Sequence, residues 1–243
     1  MIKGADGMAK INSKQNNNNE VPKDLKKHPF YGFELDDEQK VFRDAIWDDE
    51  KLIVFCNAKA GTGKTFIAVA TADLLVKYGK YEGIVYISSP TQEGKLGFLP
   101  GEISDKVAVY SEPLLEALLK LDINPNTAIH QYNIMNQKNG ISYIDATTHV
   151  YLRGCNFENK VVILDETQNY YCDELKKTLT RISDNCKVIV IGHSGQVDLY
   201  HNPENSGFVR YLEHFKDDPR TAVCELKTNH RGWISSYADN LIF

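Results

Sequence analysis

The chain has 243 residues with a formal net charge of −5, and 42% of its residues are apolar and 25% charged. This balance is typical of a folded protein with one substantial core, and it argues against a globally basic surface for nucleic acid. No apolar run approaches the roughly 18 residues of a membrane span and the N-terminus lacks a secretory apolar core, so we expect a cytoplasmic protein without a membrane segment.

The N-terminal part of the chain is polar and then becomes helical. Residues 1–27 offer too little apolar surface to repay ordering, so we expect a flexible tail before a single domain over residues 28–243. Asp36 is placed to cap a helix in which Val41, Phe42, Ala45 and Ile46 form pairs four residues apart. Gln39, in the first turn, offers an acceptor and donors that suit the adenine edge, although an exposed helix glutamine is the ordinary alternative.

The next segment has the layout of a phosphate-binding loop. An apolar run at 52–57 leads into Ala58-Lys59-Ala60-Gly61-Thr62-Gly63-Lys64-Thr65, which we call the phosphate loop, and helix-forming sequence follows. Gly61 and Gly63 permit the backbone to wrap a polyphosphate with its N–H groups pointing inward. Lys64 then reaches the β and γ phosphates, and the Thr65 hydroxyl is placed to ligate Mg²⁺ at the helix N-terminus. The pattern predicts binding of ATP or another nucleoside triphosphate.

Helices and strands alternate after this loop. Phe66, Ala70 and Leu74 share one face of the helix that follows it, and residues 83–89 predict a second buried strand. Pro113 begins or kinks a further helix. The leucines predicted to face inward in that helix are Leu114, Leu115, Leu118 and Leu119. Two short strands are predicted at 141–144 and 150–152, without a definite pairing.

A second strong signal is an apolar run at 161–164 that ends in Asp165 and Glu166. A nucleotide hydrolase needs such carboxylates opposite its phosphate loop, Asp165 to hold Mg²⁺ through water and Glu166 to orient or deprotonate the attacking water. An acidic turn after a buried strand is the alternative, but a phosphate loop about 100 residues upstream favours the functional interpretation. This interpretation requires folding to bring Asp165 within a metal ion's reach of the Lys64–Thr65 turn.

Two later segments supply further candidates. Residues 186–192 predict a buried strand, and after it we expect Gln196 to sense the γ phosphate or the attacking water. His193 is explained equally well as a loop histidine bonded to backbone. A last strand at 223–226 leads to Arg231, which is placed to reach charge on the γ phosphate in its own chain or a neighbour's, although a surface arginine bonding a carboxylate is the alternative. A closing amphipathic helix contains Ile234, Tyr237 and Ala238.

Strands that alternate with helices, with candidate ligands at the strand ends, predict an α/β fold with a mainly parallel sheet covered on both faces. Several segments together also resemble the PhoH family of P-loop ATPases, relatives of the RecA-like core of superfamily 1 helicases. The matching segments are 58–70, 93–101, 151–154, 162–169 and 196–199, in family order. The Leu-Gly-Phe-Leu-Pro-Gly stretch at 96–101 is the most distinctive, because phosphate loops and acidic strand ends occur in many nucleotide hydrolases.

The resemblance implies a single RecA-like domain with a defined set of site residues. The residues expected to bind nucleotide are Gln39, Ala58, Lys59, Ala60, Gly61, Thr62, Gly63, Lys64, Thr65 and Phe66. The residues expected to act in hydrolysis are Lys64, Glu166, Gln196 and Arg231, with Thr65 and Asp165 at Mg²⁺. The chain departs from the family pattern at His193, where an aspartate is usual, and at Ser89, where an arginine is frequent.

Two functions of different classes follow. The first is a Mg²⁺-dependent ATPase whose hydrolysis is coupled to RNA or single-stranded DNA. The second is a nucleotide-gated binding or assembly module with little or no hydrolysis, which the missing carboxylate at His193 motivates. Too few residues follow Arg231 for a second motor domain, so we expect the chain to form a homo-oligomer, either a ring or another assembly. Candidates for nucleic-acid contact are Tyr86, Thr91, Lys95, Lys106 and Tyr110, although Lys and Tyr scattered on a solvated face is the alternative.

Overall fold

Six apolar runs form the strands of one parallel sheet in the computed structural model, which describes residues 20–89, 111–152, 154–195 and 206–239. The strands are β1 (Ile53–Ala58), β2 (Ile84–Ser88), β3 (Ile144–Thr148), β4 (Val161–Asp165), β5 (Lys187–Gly192) and β6 (Thr221–Leu226). Their order is β3-β2-β4-β5-β1-β6, and every neighbouring pair is parallel. All six carboxyl ends therefore lie along one edge, where β5 separates β1, which leads into the phosphate loop, from β4.

Helices cover both faces of this sheet. Those in the described part of the chain are α1 (Asp37–Trp47), α2 (Lys64–Lys77), α3 (Glu112–Lys120), α4 (Pro125–Ala128), α5 (Ile134–Lys138), α6 (Cys172–Leu179), α7 (Gly207–Phe215) and α8 (Trp233–Asp239). Val54 and Cys56 of β1 pack in a cluster with α1, α2 and α3, whereas Phe55 packs with α6 and α7. The predicted α/β fold, a single domain with a parallel sheet between helical layers, is confirmed. None of the described helices has the length and apolar character needed to cross a membrane.

The start of α1 follows the prediction closely. Asp36 accepts a hydrogen bond from the Gln39 backbone N–H at 2.8 Å, and the Gln39 side-chain oxygen accepts from the Asp36 N–H at 3.2 Å. This reciprocal pair satisfies two backbone donors that a helix otherwise leaves open. Phe42 and Ile46 are buried as expected, whereas Val41 is exposed.

The packed domain begins earlier than residue 28. Leu25, which the sequence placed in a flexible tail, is completely buried in the α1–α2 side of the core. The Trp47 indole N–H also donates to the Pro22 carbonyl oxygen at 3.1 Å. One apolar side chain and one indole donor are enough to order a stretch whose composition alone indicates a tail, so this boundary was wrong for residues 22–25. Residues 1–19 lie outside the described residues.

The predicted helix faces are confirmed in part. Pro113 occupies the first turn of α3, so it starts a new helix, and Leu114 and Leu118 are buried. Leu119 is 65% exposed, because it lies about 100° around the helix from Leu118 and α3 packs through one narrow stripe. In α2 burial extends over all of 67–75, since the sheet, α1 and α3 cover the helix from several sides.

Two short segments differ from prediction. The strand expected at 141–144 begins at its last residue and continues to Thr148, with Ile144, Ala146 and Thr148 buried in alternation. Ile141 is exposed. The strand expected at 150–152 is instead a short 3-10 helix over His149–Tyr151. Its apolar residues resemble a strand locally, but no neighbouring edge among the described strands pairs with them.

The closing helix is present as α8, but its apolar side does not pack on the domain. Ile234 and Tyr237 are 78% and 68% exposed, and Trp233 stacks on Tyr237 with ring centroids 5.3 Å apart. The amphipathic pattern therefore predicted the helix correctly, and the apolar side chains it contains are exposed. The pattern reports which side is apolar, and it does not report whether a partner surface lies opposite.

Lys187 is a buried cation at the other end of the sheet, at the start of β5. Its ammonium group donates to the backbone carbonyl of Asp48 at 2.6 Å and to that of Lys51. Burial lowers the pKa of Lys187 to about 8, with Asp49 opposing the change. The pKa of a lysine in an unfolded chain is about 10.4. Between the folded pKa of about 8 and this value, the unfolded chain therefore binds more protons than the folded one. The contribution of Lys187 to stability therefore rises with pH through this window and is lost as pH falls through 8.

We expect the unfolding free energy of the wild-type protein, relative to Lys187→Met, to increase by about 2 kcal/mol between roughly pH 7 and pH 9.5. Urea unfolding at both pH values measures this difference, and groups that titrate in both proteins cancel. Lys120→Met, on the exposed end of α3, is the matched control and should show no such change. A difference between wild type and Lys187→Met that stays constant with pH would contradict the assignment.

Candidate active site

The phosphate loop connects β1 to α2 in a conformation that requires glycine. Gly61 and Gly63 have φ angles of +74° and +80°, in the left-handed region that other residues avoid. A Cβ atom on Gly61 would lie 2.8 Å from the Asn229 side-chain oxygen, and one on Gly63 would lie 3.1 Å from the Gln39 amide nitrogen. The two glycines therefore provide the turn that the spacing predicted, and they also allow Asn229 and Gln39 to approach the loop closely.

The end of β4 faces the last two residues of the phosphate loop. The Thr65 hydroxyl donates to the Asp165 carboxylate at 2.8 Å, and the Lys64 ammonium lies 3.7 Å from a Glu166 carboxylate oxygen. These pairs join residues about 100 positions apart because the parallel sheet brings the carboxyl ends of β1 and β4 to one edge. The spatial relation on which the sequence interpretation depended is present.

Asp165 is completely buried and surrounded by donors. Its carboxylate accepts from the Thr65 hydroxyl, from the Tyr86 hydroxyl at 2.7 Å and from the Glu166 backbone N–H at 2.9 Å. Burial raises the pKa of the Asp165 carboxyl, as does the Glu166 charge, whereas Lys64 and the two hydroxyl donors oppose the rise. The donors thus favour the ionised form in a place where burial disfavours it.

Tyr86 does not belong to a nucleic-acid surface, and that prediction is wrong. The side chain is fully buried in β2, and burial together with the Asp165 charge raises the pKa of Tyr86 well above its usual range. The hydroxyl therefore stays protonated and donates to Asp165. The other candidates for that surface, Thr91, Lys95, Lys106 and Tyr110, lie outside the described residues.

The oxygen atoms at this edge suit Mg²⁺. Thr65 and Asp165 offer a hydroxyl and a carboxylate 2.8 Å apart, the hard ligand types that Mg²⁺ prefers. Ser88 lies in register beside Asp165, and its buried hydroxyl has no hydrogen-bond partner among the described residues. A buried hydroxyl without a partner is unusual, and it is consistent with an additional oxygen or water at this position. The donor set therefore fits the metal that the sequence predicted.

Glu166 adopts a left-handed backbone conformation, with φ +52° and ψ 38°. Such a conformation costs free energy in a non-glycine residue and is frequent at functional sites. The Gln168 amide group donates to the Glu166 carboxylate at 2.6 Å and accepts from the His193 backbone N–H at 3.1 Å. Gln168 thus links the acidic strand end to the end of β5. No role is predicted for Gln168 from the sequence, although it stands two positions after Glu166 in the acidic motif.

The end of β5 lies between the phosphate loop and the acidic pair. Asn57, near the end of β1, exchanges two hydrogen bonds with Ser194, each of 3.1 Å. Asn57 was also not predicted, although a polar amide in an apolar strand was a signal for it. The His193 Nδ1 atom is buried and has no hydrogen-bond partner among the described residues. Gln196 lies outside the described residues, so its role stays a prediction.

Gln39 lies against the phosphate loop and is only 8% exposed, so it is not an ordinary surface glutamine. Its amide nitrogen donates to the Thr62 carbonyl oxygen at 2.9 Å, while its oxygen is bonded to the Asp36 N–H. The Thr62 hydroxyl in turn donates to the Lys59 carbonyl at 2.9 Å. Gln39 therefore lies in contact with the phosphate loop, and its role toward adenine stays a prediction.

The loop at 227–232, which follows β6, lies in contact with the phosphate loop. The His230 backbone N–H donates to the Gly61 carbonyl at 2.8 Å, and its ring lies 2.8 Å from the Asp36 carboxylate. The Glu38 carboxylate accepts from the backbone N–H groups of residues 227 and 228. The Arg231 side-chain carbons lie beside Gly61, and the residue is exposed. Arg231 is therefore next to the phosphate loop of its own chain.

This chain is similar in sequence to known proteins. The family model described as PhoH-like protein matches residues 34–231. Protein PhoH of Escherichia coli (strain K12) is 34% identical over 178 residues, which are 72% of this chain and 48% of that protein. The PhoH-like protein of Mycobacterium leprae is 32% identical over 182 residues, 74% of this chain and 49% of that one. Protein PhoH2 of Bacillus subtilis (strain 168) is 30% identical over 187 residues, 76% of this chain and 41% of that one.

The chain thus spans about half the length of the curated relatives it matches. Among solved structures, a DEAD box protein from Methanococcus jannaschii aligns with a TM-score of 0.48 and 18% identity, over 79% of this chain and 50% of that one. The large terminase of bacteriophage HK97 aligns with a TM-score of 0.49 and 12% identity, over 85% and 42%. The family match extends from the residues before α1 to Arg231 and includes every described element of the site, and on this ground the chain belongs to the PhoH-like protein family.

Proposed function

We propose that this domain binds ATP with Mg²⁺ and hydrolyses it. The observation that carries the proposal is the contact between the phosphate loop and the end of β4. The Thr65 hydroxyl donates to Asp165 at 2.8 Å, and the Lys64 ammonium group lies 3.7 Å from Glu166. A loop that offers backbone donors and a lysine, opposite a buried carboxylate and a second, accessible one, is the minimum that phosphoryl transfer to water requires.

Each residue has a distinct task in this proposal. The phosphate loop and Lys64 hold the β and γ phosphates, and Thr65 with Asp165 would hold the metal ion. Bound Mg²⁺ neutralises phosphate charge as it develops. Glu166, oriented by Gln168, positions the attacking water and accepts its proton. Gln196 and Arg231 are proposed to contact the water and the γ phosphate.

Gln39 is proposed to recognise adenine. Both ends of its amide are engaged in the structure, one with Thr62 and one with Asp36. A base that bonds Gln39 must therefore share or replace one of these bonds, which would couple base recognition to the conformation of the phosphate loop. The proposal for adenine rests on the Gln39 amide, which offers both an acceptor and donors to a base edge that carries a donor and an acceptor.

The coupling to RNA or single-stranded DNA rests on the family resemblance, as does assembly into a homo-oligomer. Arg231 is exposed beside Gly61, so a neighbouring copy has access to the same edge of the site. The second candidate function, a nucleotide-gated binding module without turnover, is favoured by His193, which stands where an aspartate is usual in the family, so this position supplies no carboxylate near the water.

Phosphate release separates these functions. We expect release with ATP and Mg²⁺ to exceed release with GTP, CTP or UTP, to stop in EDTA, and to increase when single-stranded RNA or DNA is added. Nucleotide binding without release under any of these conditions would instead establish the binding module. Failure to bind any nucleotide would contradict both.

A further inference from the structure

Tyr86 of β2 contacts the Asp165 carboxylate, although it belongs neither to the phosphate loop nor to the acidic motif. Tyr86 is in the middle of β2, and β4 is its neighbour in the sheet, with Ser88 in register with Asp165. The Tyr86 side chain is completely buried, and its hydroxyl donates to the Asp165 Oδ2 atom at 2.7 Å. The ring fills the core beside α2, while the hydroxyl reaches the site.

The hydrogen bonds to Asp165 indicate what this hydroxyl does. The Oδ2 atom accepts from both Thr65 and Tyr86, and the Oδ1 atom accepts from the Glu166 N–H. In the proposed function the Thr65 oxygen holds the metal ion through a lone pair, and its proton still donates to Asp165. The Tyr86 bond comes from a buried strand outside the phosphate loop. It therefore orients the Asp165 carboxylate independently of how Thr65 meets the metal ion.

We propose that Tyr86 is a positioning residue that holds the Asp165 carboxylate in the orientation needed to bind Mg²⁺. The inference rests on the proposed function and adds a residue from β2 to its site. Outer-shell partners of this kind orient the ligand, and their removal typically weakens metal affinity about 10-fold to 100-fold. The alternative is that Tyr86 only fills space in the core, in which case its ring matters and its hydroxyl does not.

The chain provides a matched control for the hydroxyl. Tyr170 is also completely buried, on the other face of the sheet, and its hydroxyl has no hydrogen-bond partner among the described residues. Tyr86→Phe and Tyr170→Phe therefore remove the same atom from equally buried rings. The first loses a bond to Asp165, and the second loses none to a described residue.

The test is a Mg²⁺ titration of the binding of a fluorescent, non-hydrolysable ATP analogue, with thermal unfolding of each variant measured alongside. In EDTA, we expect Tyr86→Phe and the wild type to bind the analogue equally well. We expect Tyr86→Phe to need about tenfold more Mg²⁺ to reach half of the Mg²⁺-dependent change in analogue fluorescence. Tyr170→Phe should need the same Mg²⁺ concentration as the wild type, even where its thermal stability changes.

An unaltered Mg²⁺ requirement in Tyr86→Phe, or an equal shift in Tyr170→Phe, would overturn the inference and leave the proposed function standing. Failure of the wild-type protein to bind the analogue would overturn the proposed function, and the inference with it. The two failures are distinguished by the wild-type titration alone.

Discussion

Glu166→Gln is expected to bind Mg²⁺ and ATP as the wild-type protein does and to release phosphate at least about a hundredfold more slowly. The amide has the shape of the carboxylate and keeps an oxygen for the bond from Gln168, now 2.6 Å long. It cannot accept a proton from water, which is the task proposed for Glu166. Single-turnover phosphate release, with binding of a fluorescent analogue measured in parallel, checks both parts of the expectation.

Glu116→Gln, on the exposed side of α3, is a control of identical chemistry away from the site. It should leave binding and release unchanged. Release by Glu166→Gln within a few fold of the wild-type rate would show that another group activates the water. A loss of binding in Glu166→Gln would show instead that the carboxylate matters mainly for the arrangement of Lys64 and the phosphate loop.

Lys64→Ala is expected to reduce nucleotide affinity by at least about a hundredfold, which corresponds to roughly 3 kcal/mol. The Lys64 side chain is only 13% exposed, so its ammonium group acts in a partly dehydrated site where its attraction for phosphate is weakly screened. Glu166 is an anion 3.7 Å from the Lys64 ammonium group, and the phosphates would take its place. Equilibrium titration with the fluorescent analogue measures the loss.

Lys120→Ala removes a lysine from the exposed end of α3 and should bind the analogue like the wild type. Thermal unfolding without nucleotide shows whether Lys64→Ala remains folded, which we expect because the phosphate loop retains its glycine turns and its bonds to Gln39 and His230. Equal binding by the wild type and Lys64→Ala would defeat the proposed function.

The fold, and the contact of Lys64 and Thr65 with the acidic pair, follow from short sequence patterns that are clear without any knowledge of distant contacts. An apolar run that ends in Asp165, and another that leads into Gly61 and Gly63, are sufficient once the sheet is parallel, because parallel strands present their carboxyl ends together. Lys64 and Thr65 therefore meet the acidic pair by topology alone. The caps at Asp36 and Gln39 were also predictable, since they depend on contacts three residues apart.

The role of Tyr86 was not predictable, and the reason is physical. Every residue of β2 is buried on one face or the other, so no alternation of polar and apolar residues indicates which face Tyr86 occupies. Gln168 bonds to a residue more than 20 positions away as well as to Glu166, and Asn57 bonds to one more than 100 positions away. Pattern arguments do not reach these distant partners. The exposure of Leu119 and Ile234 likewise depends on what lies opposite each helix, not on the helix itself.

The two flanks of the family-matched region meet at the phosphate loop. Asp36 and His230 are 194 positions apart, yet their side chains are in contact, and the His230 backbone also bonds to Gly61. Any polypeptide attached beyond Arg231 consequently leaves the domain beside the phosphate loop. Force applied there would reach the glycine turn directly, through the bond from the His230 N–H to the Gly61 carbonyl oxygen.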